Sequence, residues 1–280
     1  MSHWHAGRHL MQDNDRQRGA TGDRVRPVAL ALLEMAGAGE RALWRLQPEG
    51  PTVLERLVRT AQESGWVQRT VVLAASGPID EEACAEARRL GVECLRGLGG
   101  AAEALRALAV PPEQVVVRLS VRCPLLCPEV LGAAVESLLS GGHDRVSTDL
   151  GSGVLPAGLD VEACRARCLY SEWKEAAEGG PRVAGPRSRA HELAPAELGP
   201  ALERSGRYYA SFRLYLEGPE DIPLLRTVTS LLDRQVEPRA LGSLLRLLDL
   251  HPEWRHTIQH VIQLRPPAAA LLGGHSGPRE

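Results

Sequence analysis

The run Val115-Val-Val-Arg-Leu-Ser-Val-Arg-Cys-Pro-Leu-Leu-Cys-Pro-Glu129 constrains the fold more than any other stretch of the chain. Its β-branched, nearly continuous apolar start reads as a strand buried on both faces, the kind that parallel sheets require. The Cys123-Pro124 step ends that strand. Pro128 then opens a helix, because a residue in the first helical turn has no use for its N–H. A strand that feeds a helix through a short turn is half of a βαβ unit. In open α/β sheets the carboxyl end of such a strand is where ligands sit.

The rest of the first half repeats the rhythm. Pro27 to Leu33 is a second apolar run and reads as a buried strand, followed by a small-residue loop at Ala36-Gly-Ala-Gly39. Thr52 to Ser64 carries Val53, Leu54, Leu57 and Val58 at helical spacing and stops at Gly65. Strands are expected at Thr70 to Ala74, Val92 to Leu95, Gln114 to Leu119 and from Arg145 to Ser147. Helices are expected at Asp80 to Leu90, Ala101 to Ala109 and Pro128 to Leu139. Such alternation with short loops predicts a three-layer α/β/α fold around a mostly parallel, Rossmann-like sheet. In the second half, Tyr208 to Leu216 alternates and is aromatic, as a strand should be. Helices are expected from Gly218 to about Asp233 and at Leu241 to Leu250. The reading is one domain over 25–260, between a polar, disordered tail at 1–24 and a Pro- and Gly-rich tail at 261–280.

Composition excludes several function classes. A formal net charge of −2 argues against a nucleic-acid binder, which would show a basic excess or stripe. No apolar run reaches the roughly 18 residues that a membrane span needs. The first nine residues have no apolar stretch of the secretory kind, so the expected location is the cytoplasm. Lys174 is the one lysine in the chain, so a lysine-based phosphate loop is excluded unless Lys174 supplies it. Among the six cysteines, Cys123/Cys127 and Cys164/Cys168 form two Cys-x-x-x-Cys pairs, wider than the usual zinc knuckle. The pair Cys164/Cys168 reads as one face of a helix, and reduced, mostly buried thiols are the expectation for all six.

Several segments taken in order resemble one family. Val117-Arg-Leu-Ser-Val-Arg-Cys-Pro-Leu-Leu-Cys-Pro128 is similar to the Val-Arg-Ile-Thr-Gly-Asp-Cys-Pro-Leu-Ile-Asp-Pro motif of the CMP-sugar cytidylyltransferases, in particular their spore-coat polysaccharide branch. Met35-Ala-Gly-Ala-Gly-Glu-Arg-Ala-Leu43 stands where that family has its phosphate loop. Gly91-Val-Glu-Cys-Leu-Arg-Gly97, Gly158-Leu-Asp-Val-Glu162, Arg189-Ala-His-Glu192, Arg213-Leu-Tyr-Leu-Glu-Gly-Pro-Glu-Asp221 and His251-Pro-Glu-Trp254 resemble its later motifs. The likeness runs from about Pro27 to Arg255.

The resemblance implies the nucleotide-diphospho-sugar transferase type of sheet and transfer of CMP from CTP to a sugar or sugar acid, with Mg²⁺ as cofactor. It implies nucleotide contacts from Gly37, Gly39, Arg41, Arg96 and Arg118, acceptor contacts from Glu162, Arg189 and His191, and a catalytic group of Arg122, Asp160 and Glu217. It also implies pairing into a homodimer; the aromatic segment 207–213 is compatible with that and equally with a core strand. Two departures stand out. Arg122 occupies the position of the family's metal-binding Asp, and Cys127 that of its second Asp. Glu217 is then the remaining candidate metal ligand. An arginine cannot coordinate a cation and repels one at close range, so the alternative is a homologue that binds nucleotide or a protein partner without catalysis.

Overall fold

The computed structural model of the chain describes residues 28–35, 39–148, 155–177, 190–199, 202, 208–237 and 239–255. Both expected tails, Gly37 and Arg189 lie outside them.

Seven strands form one sheet: β1 (Ala29–Glu34), β2 (Val67–Ala74), β3 (Glu93–Arg96), β4 (Val115–Ser120), β5 (Arg145–Ser147), β6 (Glu162–Arg165) and β7 (Ala190–Glu192). Their spatial order is β3-β2-β1-β4-β6-β5-β7. The strands β3, β2, β1 and β4 run parallel. β6 is antiparallel to both β4 and β5, and β7 is parallel to β5. The chain builds outward from β1 through β2 to β3, then returns to lay β4 on the other side of β1. This reversal falls at the carboxyl ends of β1 and β4, the place where open α/β sheets hold ligands.

Strand periodicity divides the interior into two cores. Ala29, Ala31 and Leu33 of β1 and Val115, Val117 and Leu119 of β4 face one way; Leu30, Leu32 and Val116 face the other. Among the described residues, three helices of the first half are α1 (Gly39–Leu43), α2 (Val53–Glu63) and α3 (Pro78–Arg89). The hydroxyl of Thr52 caps α2 by accepting from Glu55 N at 3.1 Å, and Leu54, Leu57, Val58 and Ala61 turn the apolar face inward. Next come α4 (Ala101–Ala107) and α5 (Pro128–Ser140), the latter opened by Pro128 and burying Val130, Leu131, Ala134, Val135 and Leu138. Helices α6 (Ala166–Ala177), α7 (Pro195–Leu198), α8 (Ile222–Leu232) and α9 (Leu241–Leu250) follow. The smaller core lies under α4 and α6; the larger gathers α2, α3, α5, α8 and α9. Full burial of a Leu or Val contributes about 1.5–3 kcal/mol, and the two cores hold more than enough such residues to fix the register of a sheet buried on both sides. No helix among the described residues is long and apolar enough to cross a membrane.

Four expectations are corrected by the structure. Tyr208 to Leu216 is not a strand: a 3-10 turn at Tyr209–Ser211 leads into an extended strap. Leu214 N donates to Ala157 O at 2.6 Å and Leu216 N to Arg122 O at 2.8 Å, so two separate loops, not a neighbouring strand, satisfy its backbone. Its aromatics Tyr209 and Phe212 are buried in the chain's own core, as the core alternative for this segment had it. Gly39 starts a short helix instead of closing a loop. Cys164 is on β6 and Cys168 on α6, so they do not share a helix face. Finally, Cys84 and Cys94 are joined by a disulfide that ties α3 to β3; Cys123, Cys127, Cys164 and Cys168 are free and buried.

Candidate functional site

The turn that ends β4 and the strap 212–217 meet beyond the sheet's carboxyl edge. A third segment, the loop 155–161 before β6, joins them, and a parallel bridge between Ala157 and Arg213 fixes its register on the strap. Gly158 makes the crossing possible. Its φ is +104°, and a Cβ there would stand 2.5 Å from the Leu214 carbonyl carbon and 2.8 Å from Tyr215 N. Asp221 holds the far end of the strap: its Oδ2 accepts from Glu217 N at 2.7 Å and Gly218 N at 3.0 Å, and its Oδ1 accepts from Arg213 Nη1 at 3.1 Å.

The crossing brings Arg122, Asp160 and Glu217 together. Arg122 donates through Nη2 to Glu217 Oε1, and its guanidinium carbon lies 5.1 Å from the centre of the Tyr215 ring. Tyr215 donates its hydroxyl to Asp160 Oδ2. Arg213 flanks the same ring at 5.8 Å and lies 4.0 Å from Glu217. Beneath them the buried Cys123 thiol approaches Asp160 Oδ2 at 3.8 Å; burial, and then the Asp160 charge, push its pKa well above the ordinary thiol value, so it is held protonated. Tyr215, Arg213 and Cys123 were not among the candidate site residues read from the sequence. The alternating Arg213-Leu-Tyr-Leu-Glu217 was the available signal, because Leu214 and Leu216 go inward and leave the other three together.

Arg118 sits one level lower, inside the sheet. Its Nε and Nη2 fork onto Glu34 at 2.6 and 3.0 Å, and its Nη1 reaches Glu162 at 3.3 Å. Glu162 is also 3.7 Å from the buried Arg145, which in turn pairs with Glu172 on α6. The result is a row of alternating charge, Glu34–Arg118–Glu162–Arg145–Glu172, crossing β1, β4, β6 and β5 in spatial order. Burial opposes the charge on Arg118, but Glu34 and then Glu162 outweigh it and raise the arginine above its ordinary value. Arg118 and Glu162 therefore have carboxylate and guanidinium partners within the sheet.

The remaining candidates are dispersed. Gly39 packs so closely against Asp80 that a Cβ would lie 2.6 Å from its Oδ1, which accounts for a glycine at the start of α1. Arg41 is half-buried on α1. Arg96 reaches the carbonyls of Ser76 and Gly77 at 3.3 Å and Glu81 at 3.6 Å, at the start of α3. His191 stacks on His143 with ring centres 4.3 Å apart, and its Nε2 meets Glu197 Oε2 at 3.0 Å. No group of three or more His, Cys, Asp or Glu side chains that could hold a metal occurs among the described residues. The residues present do not fit a conventional Mg²⁺ site, since Glu217 faces a guanidinium where a second carboxylate would be needed.

The architecture is that of solved cytidylyltransferases. A cytidylyltransferase from Leptospira borgpetersenii serovar Hardjo-bovis superposes with a TM-score of 0.63 over 82% of this chain and 96% of that one, at 17% sequence identity. A 4-diphosphocytidyl-2C-methyl-D-erythritol synthase from Anaerococcus prevotii superposes with a TM-score of 0.50 over 72% of this chain and 97% of that one, at 13% identity. No family model and no curated protein matches the sequence. The likeness establishes the fold: a mixed, mostly parallel seven-stranded sheet between helical layers.

Proposed function

We propose that the chain is a nucleotidyltransferase that takes CTP and a sugar or sugar-acid acceptor, of the kind found in the CMP-sugar, spore-coat polysaccharide branch, with guanidinium chemistry replacing the carboxylate–metal arrangement. In this reaction an acceptor oxygen forms a bond to the α-phosphorus, the bond to the bridging oxygen breaks, and pyrophosphate leaves. The observation that supports the reading is the convergence of Arg122, Glu217, Tyr215 and Asp160 beyond the end of β4, at the sheet's reversal point.

Each residue has a role in this reading. Arg122, aimed by Glu217 and backed by the Tyr215 ring, supplies positive charge to the phosphates. Charge-assisted N–H donors can stabilise the charge that builds there. Asp160, held by the Tyr215 hydroxyl, is the base for the acceptor proton. Arg41 adds charge from α1, and His191 with Arg189 belongs to the acceptor side. No step is assigned to Mg²⁺. The homodimer implied by the resemblance remains part of the proposal.

Calorimetry with CTP, with and without Mg²⁺, followed by pyrophosphate release against a panel of sugars and sugar acids, tests it. CTP is expected to bind, and Arg122→Gln to weaken binding by about tenfold or more. Absence of heat and of any thermal shift with all four nucleotides removes the reading. Binding without turnover on any acceptor removes its catalytic half.

A further inference from the structure

Two arginines stand within reach of one carboxylate on the strap. Arg122 donates through Nη2 to Glu217 Oε1. Arg213 lies one short stretch earlier on the strap, and its Nη2 is 4.0 Å from the same Oε1. Both guanidinium groups also flank the Tyr215 ring, at 5.1 and 5.8 Å from its centre. The side chains of Arg213, Glu217 and Asp221 are only 17%, 16% and 10% exposed, so water and salt screen their charges weakly. Left to themselves, two such cations would share the one carboxylate between them.

Asp221 decides the division. Its Oδ1 accepts from Arg213 Nη1 at 3.1 Å, nearer than Arg213 comes to Glu217. Its other oxygen is anchored independently: Oδ2 accepts from Glu217 N at 2.7 Å and from Gly218 N at 3.0 Å. Two backbone donors thus pin the carboxylate at the 3-10 turn Pro219–Asp221, and it cannot follow Arg213 if that side chain swings away. Charge-assisted hydrogen bonds of this kind make a fixed counter-charge. The same side chain therefore acts on Glu217 twice. It holds the Glu217 backbone in place, and it keeps the rival guanidinium occupied. Glu217 is left to aim Arg122.

We propose that Asp221 is a positioning residue: by holding Arg213 off Glu217, it reserves that carboxylate for Arg122 and so sets the direction in which the Arg122 guanidinium points. The pairing stands on the geometry alone; its effect on nucleotide binding rests on the function proposed above.

The experiment uses the full chain and urea unfolding. The coupling between Arg122 and Glu217, from the cycle of Arg122→Met and Glu217→Gln, is measured in three backgrounds: the natural chain, Asp221→Asn, and Asp221→Asn with Arg213→Met. The asparagine keeps an oxygen for the two backbone N–H groups but offers Arg213 an amide donor in place of a carboxylate oxygen. Arg213 then moves onto Glu217, and the Arg122–Glu217 coupling should fall to about half or less. Removing Arg213 as well should restore it, a rescue that loss of a merely structural cap would not show. If Asp221→Asn does not fold, the cycle of Arg213→Met and Glu217→Gln in the natural chain decides, and its coupling should be less than about half of the Arg122 value. CTP affinity should also fall several-fold in Asp221→Asn. If CTP does not bind even the natural chain, the nucleotide reading is lost, while the cycles still judge Asp221. The proposal is overturned if the Arg122–Glu217 coupling is unchanged in Asp221→Asn, if removing Arg213 fails to restore it, or if Arg213 couples to Glu217 in the natural chain as strongly as Arg122 does.

Discussion

Arg122 and Glu217 meet side chain to side chain across the crossing of the β4 turn and the strap. Each is the other's principal charge partner there, with Arg213 at 4.0 Å the nearest further cation to the carboxylate. A double-mutant cycle of Arg122→Met and Glu217→Gln, read by urea unfolding, should give a coupling of about 1–2 kcal/mol. A coupling indistinguishable from zero would mean that the pair does not persist in solution.

Gly158 is where the strap leaves no room. Gly158→Ala combines a φ of +104° with a Cβ 2.5 Å from the Leu214 carbonyl carbon. It should destabilise the fold by about 2 kcal/mol or more. It should also weaken nucleotide binding, since Asp160 and Tyr215 lie on the two segments forced apart. Unchanged stability would contradict the crossing.

Arg118 separates Glu34 from Glu162 on one face of the sheet. Arg118→Met leaves the two carboxylates facing one another without a cation between them. The expected loss is about 2–4 kcal/mol by denaturant unfolding, part of it recovered in the double variant with Glu34→Gln. A loss below about 0.5 kcal/mol would show that water already screens the row.

Glu129, at the start of α5, has its pKa raised above the ordinary 4.5, chiefly by burial. Between 4.5 and that raised value the folded chain keeps a proton that the unfolded chain has lost. Stability therefore falls as pH rises across this window. Glu129→Gln removes the contribution, so its stability advantage over the natural chain should grow as pH climbs from 4.5. A constant difference at all pH values would refute the shift.

Denatured without reductant, the chain should show four reactive thiols out of six cysteines, because Cys84 and Cys94 are paired. In the folded state Cys123, Cys127 and Cys164 should alkylate far more slowly than a free thiol, since burial holds all three protonated. Six fast-reacting thiols in the denatured chain would contradict the cross-link.

The parallel half of the fold was legible because its strands are apolar on both faces and its helices announce their ends. Thr52, Pro128 and Gly65 mark boundaries by local chemistry that no distant contact overrides. The other half was not legible for the opposite reason. β6 is four residues long and carries Glu162 and Arg165, so it has no apolar run to detect; its Glu162 is matched by Arg118 of β4 and Arg145 of β5, contacts that only the folded sheet supplies. The strap at 212–217 alternates as a strand does, yet its partners are two loop carbonyls. Within the site, proximity of Arg122, Asp160 and Glu217 followed from motif order, whereas Tyr215 between them emerged only from the crossing at Gly158. Arg118 shows the limit most clearly: an arginine in an apolar strand signals a buried anion, but sequence alone does not say whether that anion is a ligand or a neighbouring glutamate.

The charged row from Glu34 to Glu172 also bears on how this chain can drift. Replacing Arg118 strands Glu34 and replacing Arg145 strands Glu172, so tolerated changes at either arginine must come as compensated doubles. In distant descendants these five positions should therefore be inherited, or abandoned, as a block.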